Sequence, residues 1–71
     1  MFLALANLDS GLFLDQHGWT SDIKLARQFA DTETVSIAAR ENKVRNAAAV
    51  IVEGPPPRKA GFLWVTKPNS L

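Results

Sequence analysis

The chain has no cysteine, no tyrosine, one histidine and one methionine in 71 residues. Each scarcity removes a class of function. Without cysteine there is neither a disulfide framework nor a thiolate metal site. With His17 alone, a histidine-rich metal centre cannot form within one chain. No apolar run approaches the roughly 20 residues that a membrane-spanning helix needs, so no membrane partner is expected. Gly11, Gly18, Gly54 and Gly61 are scattered, and Gly54 precedes proline rather than a helix start. That rules out a glycine-rich phosphate loop, and no cofactor is expected.

Missing cysteine fits a reducing cytoplasm, the expected location. The opening Met1-Phe2-Leu3-Ala4-Leu5-Ala6-Asn7-Leu8 lacks a leading positive charge and is soon interrupted by Asp9. It reads as a first β-strand rather than a secretion signal.

What is present is an ordinary globular balance, 46% hydrophobic and 21% charged, in a length that makes one domain, residues 1–71. A core this small supplies about 3–5 kcal/mol of net stability unless something reinforces it. With disulfides and metals removed, self-association is the remaining support, and a homodimer or a partner-bound state is expected. Net charge is +1 but unevenly placed. Residues 1–40 sum to −2 and residues 41–71 to +3, a mild basic bias toward the C-terminal end.

Phe2–Leu8 and Leu12–Asp15 are expected to pair as a hairpin across Asp9-Ser10-Gly11. Gln16-His17-Gly18 turns the chain again. Thr20 and Ser21 are N-cap candidates, with Asp22 in the first turn, for a helix presenting Leu25, Ala26, Phe29 and Ala30 on one side. Asp31-Thr32 opens a second helix with Val35, Ala38 and Ala39 inward, ending by Asn42 or Lys43. Ala47–Glu53 reads as a third strand. A proline-rich projecting loop is expected over 54–61, and Phe62–Thr66 forms the fourth strand. The expected fold is therefore α+β, ββααββ, with antiparallel hairpins in one sheet and two short helices on one face. Strand four carries apolar residues at both alternations, so one sheet face is expected to need cover from a partner.

His17 with Asp15 and nearby Ser10 or Asp22 is the only grouping resembling acid–base machinery. Nucleophilic catalysis needs a base within reach of its nucleophile, an orienting third group and an oxyanion site. A histidine beside glycine reads more simply as a turn residue, and an Asp15/His17/Asp22 set matches no standard ligand spacing. No catalytic or metal residue is assigned, and the chain is not expected to be an enzyme.

Candidate binding residues lie later. Pro55-Pro56-Pro57-Arg58-Lys59 is a stiff loop, or a polyproline ligand flanked by cations. Trp19 is expected to lid the core. Trp64 and Phe62 are expected, with Arg58 and Lys59, to contact a protein partner. Arg40, Lys43 and Arg45 complement the end of the second helix, or bind phosphate. Lys43, Arg45 and Lys67, with Arg58 and Lys59, make a nucleic-acid-associated accessory role the alternative.

The segments Gly11-Leu12-Phe13-Leu14, Gly18-Trp19-Thr20-Ser21-Asp22-Ile23 and Ala26-Arg27-Gln28-Phe29, with Ala38, resemble a pattern in small phage and prophage proteins. There a glycine-turned hairpin leads into a W-T-x-D helix entry, an A-x-x-F face and a second short helix before a strand. The resemblance spans roughly residues 2–52. Val35 stands where acidic residues are common, and the proline loop with its last strand lies outside the pattern. The resemblance implies a context in which small proteins, anti-CRISPR proteins among them, occupy a surface of a host protein or nucleoprotein complex. The leading expectation is a non-enzymatic inhibitor that acts by stoichiometric binding.

Overall fold

Alternation of apolar residues along Phe2–Asn7 and Ala47–Glu53 produces the two central strands, β1 and β4. In the computed structural model, which describes residues 1–66, they pair antiparallel from Phe2↔Val52 to Asn7↔Ala47. Asp9-Ser10-Gly11 closes a hairpin to β2 (Leu12–Leu14), with Gly11 at φ +76°. There the chain needs the left-handed conformation that glycine adopts without steric cost. A two-residue strand, β3 (Trp19–Thr20), adds beyond β2. Helix α1 (Thr32–Glu41) precedes β4, and β5 (Arg58–Thr66) pairs with β4 on its far side. The antiparallel sheet runs β3-β2-β1-β4-β5, so the fold is α+β.

Three expectations are corrected. The first helix is a single 3₁₀ turn over Ile23–Leu25, after which Ala26 is extended. Asp22 caps this turn by accepting the Lys24 N–H at 2.9 Å, but the following segment takes its hydrogen bonds from the sheet. The Arg27 N–H donates to the Leu14 carbonyl at 2.9 Å, and Phe29 exchanges both backbone bonds with Leu3. Ala26 and Phe29 therefore enter opposite sheet faces, while Leu25 is 61% exposed and Ala30 is also exposed. The order ββααββ and the pair of helices on one face accordingly give way to one helix and an edge-docked extended segment. Finally, the proline loop is shorter than 54–61. Arg58 to Gly61 already belong to β5, with Glu53 opposite Arg58 and Val52 opposite Lys59, and a bulge follows between Ile51 and Val52.

Helix α1 begins and ends at specific local signals. The Asp31 carboxylate accepts from the Thr34 N–H at 2.9 Å and from the Thr34 hydroxyl at 3.0 Å. At the other end the Lys43 N–H donates to the Arg40 carbonyl at 3.1 Å, and the Val44 N–H to the Ala39 carbonyl at 2.9 Å. This is a Schellman closure with Lys43 at φ +55° in the position that usually carries glycine.

The core lies between α1 and one sheet face. Val35, Ala38 and Ala39 pack on Leu5, Leu14, Phe29, Ala47 and Ala49, joined by the half-buried Trp19 and Val65. Alanines at the contact allow the helix close to the sheet. On the opposite face Ala4, Ala6, Phe13, Val50 and Val52 form a second cluster with Ile23 and Ala26. The 3₁₀ turn thus covers part of the face that the sequence left without a second layer.

Candidate functional site

The open face is built by strand register. Phe13 lies opposite Ala6, and Ala6 opposite Ala48; in the next row Ala4 lies opposite Val50, and Val50 opposite Phe62. Small residues on the central strands flanked by phenylalanines on the outer ones make a trough. Its volume is about 400 Å³, with Ala6 and Val50 in the floor, Phe13 and Phe62 on its sides, and Leu8 and Lys59 at its margins.

Lys59 crosses this face. Its Nζ lies 6.0 Å from the centroid of the Phe13 ring, at the outer limit of a cation–π contact. Lys59 stands on β5 and Phe13 on β2, three strand spacings apart, about 14 Å. The two side chains can approach only by lying along the sheet. That accounts for Ala4 and Ala6 being buried without a full second layer. Phe62 remains 54% exposed and Leu8 41% exposed, so the trough keeps an apolar rim accessible to solvent.

Of the expected protein-contact residues, Phe62 and Lys59 line the trough, while Arg58 is exposed opposite Glu53. Trp64 is placed opposite Ala48 by register, and its side chain is outside the described set. The expected basic group divides. Lys43 and Arg45 are exposed just before β4, whereas Arg58 and Lys59 pair with its far end. A strand of that length separates them by about 20 Å. Lys67 lies outside the described residues.

The acid–base grouping does not assemble. The Asp15 carboxylate accepts the backbone N–H of His17 at 2.7 Å, an Asx turn rather than a contact with the imidazole. Ser10 sits in the preceding turn, where its hydroxyl accepts the Leu12 N–H at 3.3 Å. Asp22 caps the 3₁₀ turn. A second cavity of about 670 Å³ borders Asp15, His17, Lys24 and Arg27, but Arg27 is turned onto the Phe29 ring, 5.2 Å from its centroid. Among the described residues no group of three His, Cys, Asp or Glu could hold a metal ion, and no helix is long and apolar enough to cross a membrane.

Two contributors escaped the sequence reading. Leu8 and Phe13 were taken as ordinary strand residues, because alternation identifies a face without saying whether that face is covered. Asn46, read as linker, donates from Nδ2 to Asp9 Oδ1 at 2.7 Å while its carbonyl accepts the Leu8 N–H at 2.8 Å. It thereby fastens the hairpin turn at one end of the trough. No signal short of the fold links residues 37 positions apart.

No family model, curated protein or solved structure matches the chain.

Proposed function

We propose that the chain is a non-catalytic protein-binding module whose open-face trough receives an apolar anchor from a host protein or nucleoprotein complex. The observation that supports this most directly is the half-exposed Phe62 rim above a floor of Ala6 and Val50. Large aromatic residues beside a desolvated apolar floor are the usual anchors of protein interfaces. Lys59 adds a cation at the margin, which favours a partner carrying an acidic group next to its apolar anchor. The resemblance to small phage and prophage proteins supplies the setting: a stoichiometric, anti-CRISPR-like inhibitor acting in the host cytoplasm.

The test is interference. Bacteria carrying an active CRISPR system are challenged with a targeted phage while expressing either the wild-type chain or Phe62→Asp. Restored phage growth with the wild type, lost with the variant, is the expected result. Turnover of a small substrate by the purified protein would overturn the reading. Salt-sensitive retention of DNA or RNA that Phe62→Asp leaves unchanged would replace it with nucleic-acid association through Lys43, Arg45 and the other cations.

A further inference from the structure

The two edges of the sheet are treated very differently. One edge, β3, is two residues long and offers little backbone to a neighbour. The other, β5, is nine residues long and pairs on one side only. Proteins protect exposed edges with charge, proline, bulges or shortness. In β5 such protection is confined to the beginning: prolines precede it, Arg58 and Lys59 open it, and the bulge lies beside them. From Ala60 to Thr66 there is no charged residue and no proline.

The exposed side chains say what kind of body fits there. Phe62, opposite Val50, belongs to the trough face, whereas Leu63, opposite Ala49, belongs to the helix face. They are 54% and 49% exposed. A helix or sheet laid on the protein would cover one of them and leave the other. A strand laid alongside β5 covers both, because its own side chains also alternate between faces.

We propose that this edge pairs antiparallel with β5 of a second copy, about a twofold axis perpendicular to the sheet at Leu63. The two five-stranded sheets then become one continuous sheet. In that register Leu63 meets its own copy, Gly61 faces Val65 and Phe62 faces Trp64. Every position is apolar or glycine and no like charges oppose, as an isologous interface requires. The axis keeps both trough faces on the same side, bringing the two troughs next to each other. Pairing limited to Gly61–Val65 falls short of the ~800 Å² per partner of a standard interface, so the association is weak, with a Kd on the order of 100 µM. This inference does not depend on the binding function of the trough.

Sedimentation of the full chain over a concentration series tests it. Wild-type mass should rise from 7.8 kDa toward twice that value between about 10 µM and 1 mM. Leu63→Lys, which changes the helix face and leaves the trough intact, should stay monomeric with an unchanged circular dichroism spectrum. The chain has no cysteine, so Leu63→Cys introduces a single thiol. Directly opposed strand residues have Cβ atoms about 4.5–5.5 Å apart, near disulfide reach. Under mild oxidation this variant should form a covalent dimer at least about tenfold faster than Ile37→Cys, which places a thiol on the similarly exposed helix position. A constant monomer mass at every concentration, wild-type dimerisation by Leu63→Lys, or equal cross-linking of the two cysteine variants would each overturn the proposal. So would capture of this edge by a strand of another protein without any self-association.

Discussion

Leu3 and Phe29 exchange both of their backbone hydrogen bonds, at 3.0 and 2.8 Å, although 26 positions separate them. The bridge turns a segment with helical spacing into an extended strap beside β1, and it sends the Phe29 ring into the helix-side core. Amide exchange should therefore be slow at Leu3, Arg27 and Phe29, with Leu25 and Ala30 not following the same pattern of sheet bonds. Phe29→Ala should cost about 3–5 kcal/mol in denaturant unfolding, the range for removing a buried phenylalanine. A loss under about 1 kcal/mol would show that the strap is not a fixed part of the core.

Lys43 closes α1 from a left-handed conformation that costs a side-chain residue roughly 1–2 kcal/mol. Glycine escapes that cost but gains conformational entropy in the unfolded chain, which offsets part of the benefit. Lys43→Gly is expected to stabilise the protein by about 0.5–1 kcal/mol, read as a rise in Tm. A lowered Tm would mean that the Lys43 side chain makes a compensating contribution.

Asp31 is held below the ordinary carboxylate range, first by the Thr34 backbone N–H and next by the Thr34 hydroxyl. Because the folded-state pKa is the lower one, the linked stability is present above the unfolded value, near 3.8, and is lost as pH falls through the folded value. Asp31→Asn should flatten the acid limb of the stability profile measured between about pH 5 and 2, while keeping much of the cap at neutral pH. A variant with the same acid limb as wild type would remove Asp31 from the titration.

Phe62 should contribute more to binding than to folding. As a half-exposed edge-strand residue it should cost no more than about 1 kcal/mol of stability when changed to Ala. Val50, buried beneath it, should cost about 2 kcal/mol or more for the same change. If partner affinity falls in parallel with stability across both variants, Phe62 is a structural residue rather than an anchor.

The elements governed by local chemistry were legible in the residues. The Asp9-Ser10-Gly11 turn follows from glycine at positive φ, and the start of α1 from an Asp31 carboxylate within reach of Thr34. Its end near Asn42 and Lys43 and the bounds of β4 were legible for the same reason: capping and β-branching act within a few residues. The open-face trough was legible only in part. Phe62 and Lys59 stood out as exposed candidates, but Leu8 and Phe13 could not be assigned to a rim or wall before the strand order was known.

By itself, then, the sequence determined where the chain turns, where its one long helix is capped, and which strands have two apolar alternations. Tertiary structure alone decided that Ala26-Arg27-Gln28-Phe29 would run as a strap. Its apolar residues three apart suit either one side of a helix or both sides of an extended segment, and only the free groups of Leu3 and Leu14 select between them. Tertiary structure also made β5 an edge. Neighbours in a sheet are chosen by contacts between distant parts of the chain, which no local pattern of residues encodes.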